Sequence, residues 1–322
     1  MSFLTVCLNP TIQKTLRFSS IIPGAVNRTG VHRLDVSGKG INVTRVLSQL
    51  GKKVLHLTQL GGVMRPLFLS LCEQDGLSVE WVESGSEIRF CYTVLNDDIG
   101  AVTELIEESQ AVSAGTEQRL LEKFDAILCD TSLGIKCLII SGTKAAGFSE
   151  PQPSPKGEGS PPDTVIPYMT RKAKERGLRV ILDVKGKDLI ESLQYEPYLV
   201  KPNLLEFAET FAPDLIGDND QITEDDTARE RIKSAVLNAA QKYNCRVILT
   251  NGSRKILAAD RDKFFEIEFE AVKAVNSTGC GDAFAAGLAA ALEDGANFYE
   301  AIGEGVRCGA KNAALIRPGV IR

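Results

Sequence analysis

Asn276-Ser277-Thr278-Gly279-Cys280-Gly281-Asp282 runs directly into Ala283-Phe284-Ala285-Ala286-Gly287-Leu288. The first part reads as a glycine-rich turn that follows a strand. The second reads as the opening turns of a helix built from small apolar residues. Gly279 and Gly281 allow the backbone to approach a ligand closely. The first N–H groups of such a helix have no acceptor one turn back, and the helix dipole favours negative charge there. Asp282, in the first turn, lies beside that anion site. It is suited to take a proton from a hydroxyl that attacks a bound phosphate. The plainer reading is a helix-stabilising Asp behind a tight turn. The pattern alone does not separate the two; the rest of the chain does.

On either side of this stretch, strands and helices alternate. Apolar strand runs are read at Leu4–Leu8, Lys53–Leu60, Cys137–Ile140, Arg179–Asp183, Tyr198–Val200 and Arg246–Thr250. Helical spacing is read at Gly40–Leu50, Arg65–Gln74, Thr116–Leu128, 164–176, Leu204–Phe211, Glu224–Lys242, Cys280–Glu293 and Glu300–Leu315. Early in the chain, β-rich segments at Thr15–Ile22, Arg28–Val36, Val79–Val82, Arg89–Leu95 and Ala101–Ile106 interrupt the alternation. This predicts an α/β protein: a mostly parallel central sheet flanked by helices, with a small antiparallel sheet beside it. The proline-rich stretch 149–163 has nothing to pack and is expected to be a disordered surface insertion.

Composition narrows the classes. A chain of 322 residues with 43% hydrophobic and 25% charged residues has material for a sizeable core. Its net charge of −5 lacks the electrostatic footprint of a nucleic-acid binder. The longest nearly apolar run, Ala283–Leu292, is too short for a membrane helix, and Met1–Leu8 shows no signal-peptide pattern. Eight cysteines without Cys-x-x-Cys spacing read as the reduced thiols of a cytoplasmic protein. With only His32 and His56, a histidine triad or histidine metal cluster is not expected.

Three further clusters suit phosphate chemistry. Ser37-Gly38-Lys39-Gly40-Ile41-Asn42 places a cation and free N–H groups at a helix start. It is no Walker A loop, and its plainer reading is a glycine-rich helix start with a solvated Lys. Asn42 is a poor helix former, which favours a ligand role. In Val200-Lys201-Pro202-Asn203-Leu204-Leu205-Glu206, Asn203 and Glu206 have the spacing of a capping box, the stronger reading on local grounds. The same pair suits hydrated Mg²⁺, with Asp183, at the end of the preceding strand, in the same acidic patch. Thr250-Asn251-Gly252-Ser253 ends another strand. Ligands of open α/β sheets gather at the carboxyl ends of strands, so the four clusters are expected on one edge.

Taken together, these elements resemble the PfkB (ribokinase-like) carbohydrate kinases. The resemblance is carried by Leu8-Asn9-Pro10-Thr11-Ile12, Gly24-Ala25-Val26-Asn27-Arg28, Gly38-Lys39-Gly40-Ile41-Asn42-Val43, Leu60-Gly61-Gly62, Lys201–Glu206 and Gly279–Asp282, in the family's order and spacing. The first two elements are most similar to the 1-phosphofructokinase and tagatose-6-phosphate kinase branch. The resemblance implies one ribokinase-like kinase domain over 1–322. Residues of about 13–36 and 86–107 would form a lid over the sugar, which in the family often serves as a homodimer surface. ATP and Mg²⁺ are the implied cofactors. Asp282 would be the catalytic base, with Gly279, Cys280 and Gly281 as the anion hole. Gly38, Lys39, Asn42, Arg28 and Arg89 would hold the sugar phosphate, and Gln13 would face the sugar. Lys201, Asn203, Thr250, Asn251, Gly252, Ser253 and Asn312 would line the nucleotide site. Asn203, Glu206 and Asp183 would organise Mg²⁺.

The chain departs from the family at Gln13, where Asp is usual, at Cys91, where Asn is usual, and at Lys255, where the ATP loop has glycine. These changes bear on the substrate rather than on phosphotransfer. The expected activity is ATP-dependent phosphorylation of a sugar hydroxyl, a ketohexose phosphate first. A kinase of an unphosphorylated sugar or nucleoside is the near alternative, against which the cations Arg28, Lys39 and Arg89 speak. A catalytically weak sugar-phosphate-binding regulator is the other, against which Asp282 and its glycines speak. A dinucleotide dehydrogenase lacks its Gly-x-Gly-x-x-Gly after the first strand. No nucleic-acid or membrane partner is expected.

Overall fold

A computed structural model describes residues 3–150, 164–217, 222 and 225–322. The proline-rich stretch lies outside the described residues, save Ser149 and Glu150. Along the chain the elements begin β1 (Phe3–Cys7), β2 (Thr11–Phe18), β3 (Val31–Ser37), α1 (Lys39–Gln49), β4 (Val54–Leu60) and α2 (Arg65–Gln74). There follow β5 (Ser78–Glu83), β6 (Arg89–Asn96), β7 (Ala101–Ile106), α3 (Thr116–Cys129), β8 (Cys137–Ser141), α4 (Val165–Glu175) and β9 (Arg179–Asp183). The remainder is α5 (Gly186–Leu193), β10 (Leu199–Val200), α6 (Leu204–Phe211), α7 (Asp226–Lys242), β11 (Arg246–Leu249), β12 (Ile256–Asp260), β13 (Lys263–Ile267), α8 (Cys280–Glu293) and α9 (Phe298–Ala313). Among the described residues no helix is long and apolar enough to cross a membrane.

The chain forms two compact units. One comprises 1–4, 117–143 and 148–271. Its strands run in the order β13-β12-β11-β10-β9-β8. Strands β8 to β11 are parallel, and β12 and β13 add an antiparallel edge. The parallel strands are continuous apolar runs such as Leu138–Ile140 and Val180–Leu182, fully buried, as strands covered by helices on both faces must be. Their register brings the ends of β9, β10 and β11 level: Val200 lies opposite Leu182 and Val247, and Asn203 bridges Thr250 just beyond.

The other unit comprises 5–116, 144–147 and 272–322. It has the strand order β1-β4-β5 and a separate four-stranded sheet in the order β3-β2-β6-β7. The α/β class with a mostly parallel sheet and a second small sheet is therefore as expected. The small sheet differs in one respect: its outer pairs are antiparallel, but β2 and β6 are parallel. Parallel neighbours need a long crossover, here the whole run from β3 to β5. The strand expected at 15–22 also sits earlier, at Thr11–Phe18, because the chain bends only at Leu8–Asn9 and resumes pairing at once. Ile12, Val36, Ile41, Leu60 and Phe68 form a core that joins the small sheet to α1 and α2.

Candidate active site

The turn before α8 is fixed from several sides. Gly279 caps the helix at φ 81°, a left-handed conformation that costs other L-residues ~1–2 kcal/mol. A Cβ there would lie 3.0 Å from the Gly319 nitrogen and 3.2 Å from Pro318 Cβ, so the C-terminal loop passes close behind the turn. Asn276, fully buried, accepts the Thr278 N–H and donates to the Ile316 carbonyl (2.8 Å). The Cys280 amide folds back onto the Ser277 carbonyl at 3.2 Å. The first helical hydrogen bond, Ala283 N–H to the Gly279 carbonyl, comes only after it. The Cys280 amide is thus engaged within the turn itself. Burial pushes the Cys280 thiol above its ordinary pKa, with Asp282 acting in the same direction, so it remains a neutral thiol.

Asp282 is buried at 6% exposure, and its Oδ2 accepts from Asn42 Nδ2 at 2.8 Å. Asn42 stands in the first turn of α1, behind the N-cap Gly38. Arg45, one turn on, donates to Asn42 Oδ1 (3.1 Å), to the carbonyls of Pro318 (3.2 Å) and Val36 (2.7 Å), and to Asp75 (3.0 Å). Burial, and after it the neighbouring Arg317 cation, push the Arg45 guanidinium below its ordinary pKa. Burial opposes the charge of Asp75, but Arg317 and Arg45 outweigh it and hold that carboxyl below its usual range.

The acceptor-side residues are placed unequally. Lys39 is half-buried at the first position of α1. Arg89 opens β6, donates to the Glu107 carbonyl at 3.2 Å, and keeps a buried Nε with no partner among the described residues. Arg28 lies exposed in the loop between β2 and β3. Gln13 is 3% exposed and its amide is donated to the Thr93 hydroxyl, so it is held by the neighbouring strand. Cys91 is buried beside it and accepts from Thr11.

The clusters expected on the nucleotide side meet in the first unit, at the carboxyl ends of β10 and β11. Leu204, Asn251, Gly252, Ser253 and Phe264 line a cavity of about 940 Å³, within the size range of small-molecule sites. Thr250 is engaged there by its backbone, accepting from Leu204 N–H at 2.9 Å. Lys255, on the cavity wall, pairs with Glu266. Asn203 and Glu206 form the reciprocal capping box: Glu206 N–H donates to Asn203 Oδ1 (2.7 Å), and Asn203 N–H donates to Glu206 Oε2 (2.9 Å).

Asp183 and Lys201 are directed at each other, 3.2 Å apart and almost wholly buried. A hydrated Mg²⁺ needs carboxylate oxygens open to water, so this compensated pair does not fit it. Half-buried Glu206 with exposed Asn203 does fit, since Mg²⁺ beside phosphates takes one or two protein oxygens and waters for the rest. No group of three or more His, Cys, Asp or Glu side chains suited to a metal occurs among the described residues.

Asn312, expected beside the nucleotide, does not line this cavity. It is fully buried in α9 of the second unit. Its Nδ2 donates to the Thr278 carbonyl (2.9 Å), and its Oδ1 accepts from Gly319 N–H (2.7 Å). It pins the turn before α8 to the C-terminal loop. The residues that sequence reasoning passed over are Asn276, Arg45, Asp75 and Arg317. Only Asn276 carried a local signal, the Asn-x-Thr spacing of an Asx turn.

The pattern of pfkB family carbohydrate kinases matches residues 159–315. Over 291 residues, 90% of this chain and 84% of the relative, the sequence is 28% identical to a tagatose-6-phosphate kinase of Staphylococcus epidermidis. The fold is similar to that of a protein from Thermotoga maritima described as a possible 1-phosphofructokinase, with TM-score 0.79 and 21% identity over 98% of this chain and 93% of the other. It is also similar to the ribokinase of Thermotoga maritima, with TM-score 0.66 and 18% identity over 99% and 94%.

Proposed function

We propose that this chain is a carbohydrate kinase of the pfkB type, whose family pattern matches residues 159–315, and that it transfers the γ-phosphoryl group of ATP to a hydroxyl of a ketohexose phosphate. The observation that carries the reading is Asp282: a carboxylate buried in the first turn of α8, behind a left-handed Gly279, with one oxygen held by Asn42. Asp282 takes the proton of the acceptor hydroxyl as its oxygen bonds to phosphorus, the bond from phosphorus to the ADP oxygen breaks, and ADP leaves. The helix-start amides stabilise the charge on the transferring group. Lys39 and Arg89 hold the acceptor's own phosphate, and the similarity to a tagatose-6-phosphate kinase supports an acceptor already phosphorylated.

The cavity beside Asn251–Ser253 takes the nucleotide. Glu206 and Asn203 would hold Mg²⁺, which supplies charge neutralisation on the phosphates. The small sheet serves as the lid, and the Thr278 hydroxyl, 3.0 Å from Glu104 on β7, ties that sheet to the turn before α8. Exposed Val31, Leu105 and Ile106 on its edge strands suit contact with a second copy of the chain. A cytoplasmic location, read from the cysteine usage, belongs to the same proposal.

The test is ADP release measured with a panel of sugars and sugar phosphates, for the wild type and for Asp282→Asn. A general base contributes ~10²–10⁴-fold, so the variant should lose kcat by about that factor while binding ATP normally. A variant within about threefold of wild type removes Asp282 from the chemistry.

A further inference from the structure

One deeply buried charge in the second unit is not among the residues expected to touch a ligand. Arg45 has 4% of its side chain exposed, and every face of its guanidinium is held. Nε meets Asp75, Nη2 meets the Val36 carbonyl, and Nη1 meets both the Pro318 carbonyl and Asn42 Oδ1. Asp75 is itself fixed by Arg317, which reaches on to Asp35 at 2.8 Å. The C-terminal loop closes the arrangement: a Cβ at Gly319 would lie 2.9 Å from Arg45 Nη1 and 2.9 Å from Asn42 Cα.

This arrangement decides which way the Asn42 amide faces. Its two ends are distinguished only by their partners. Oδ1 receives donors from Arg45 and, at 3.4 Å, from Ser37. The end facing Asp282 must then be the NH₂ group, which donates to Oδ2. With one carboxylate oxygen held, the plane of the carboxylate is set. A donor on that oxygen also favours the ionised form that accepts a proton. A flipped amide would oppose carbonyl oxygen to carboxylate and remove both effects.

We infer that Arg45 is a positioning residue for phosphoryl transfer, acting through Asn42 to hold the Asp282 carboxylate oriented and ready to accept the hydroxyl proton. This rests on the reading of Asp282 as the base. Buried ion pairs contribute little net stability compared with apolar packing, whereas a rigid guanidinium fork does what an apolar side chain cannot: it keeps one amide orientation.

Titratable and charged groups surround Asp282 on the neighbouring elements. They are Cys7 of β1 and Cys280 of α8, which interact with Asp282 electrostatically, and Arg45 of α1, which reaches it through Asn42. Burial pushes both thiols up, so they stay neutral through the assay range.

The experiment measures kcat from pH 5.5 to 9 with ATP, Mg²⁺ and tagatose 6-phosphate, as the ratio of each variant to wild type. Arg45→Met should lower kcat and move its acid limb up by about 1–2 pH units, the effect of one lost charge-assisted hydrogen bond. Asn42→Asp changes no volume and sets two carboxylates 2.8 Å apart beside Arg45. The two cannot both be ionised, and Arg45 favours the charge at position 42. Its kcat ratio should be low at pH 6 and recover at least about tenfold by pH 9. If Arg45→Met yields no folded protein, Asn42→Asp decides alone. Ratios flat in pH overturn the inference while leaving Asp282 as base, provided that Asp282→Asn is inactive. An active Asp282→Asn overturns the reading beneath it.

Discussion

His56 makes a strong demand on pH. It lies in β4, fully buried, with Nδ1 2.8 Å from the Thr5 hydroxyl and 3.2 Å from that of Thr44. Its Nε2 has no partner among the described residues. Burial alone pushes its pKa from 6.5 down to about 3. Between those values the unfolded chain binds a proton that the folded one refuses, so stability falls as pH drops below 6.5 and the loss is complete near pH 3. Each pH unit in that window costs about 1.4 kcal/mol, which makes about 2 kcal/mol between pH 7 and pH 5. Replacing His56 with Phe removes the titration, while the Thr5 and Thr44 hydroxyls, 2.6 Å apart, still satisfy each other. Urea unfolding of wild type and His56→Phe at pH 7 and pH 5 isolates this contribution, because all other groups cancel in the double difference. The wild type should lose about 2 kcal/mol more than the variant. Equal losses in both proteins would mean that the buried ring accepts a proton and that the packing around Nε2 is looser than described.

Two further substitutions probe the acceptor side and the turn before α8. Lys39→Ala should raise the KM for a phosphorylated sugar by about 10- to 150-fold, the value of one charge-assisted hydrogen bond, while the KM for ATP moves less than about threefold. An unchanged acceptor KM would make Lys39 a solvated helix-start residue. Gly279→Ala forces a Cβ against Gly319 at a left-handed φ and should cost about 1–3 kcal/mol of stability together with most of kcat. A variant with wild-type Tm and kcat would show that the turn before α8 can relax without loss.

The elements legible in the sequence are those marked by punctuation at their ends. Helix α8 begins at Cys280 and α6 at Leu204 because Gly279 and Asn203 announce them. Asn203 and Glu206 form the capping box that their spacing announces. Helix α9 begins at Phe298, two residues before the expected Glu300, although Asn297 and Glu300 have the same capping spacing. The parallel pairing of β2 with β6 had no local mark at all. Gln13 and Cys91 meet across that pair, so their engagement within the sheet was equally hidden. Asn312 and Arg45 were obscured for a related reason. Their partners lie far away in sequence, Arg45 reaching Pro318 across 273 positions, and local spacing shows only helix faces.

The contact between Asn42 and Asp282 spans 240 positions, and it has a consequence for the order of folding. Residues 117–143 and 148–271, which make up most of the other unit, are synthesised in between. Joining the ends of a flexible loop that long costs about 5 kcal/mol of chain entropy before any contact repays it. The economical route collapses the intervening unit first, so that a compact body replaces the loose loop and the distant segments meet at reduced cost. On that route the turn before α8 matures last, and the Asn42–Asp282 contact is the final one the nascent chain acquires.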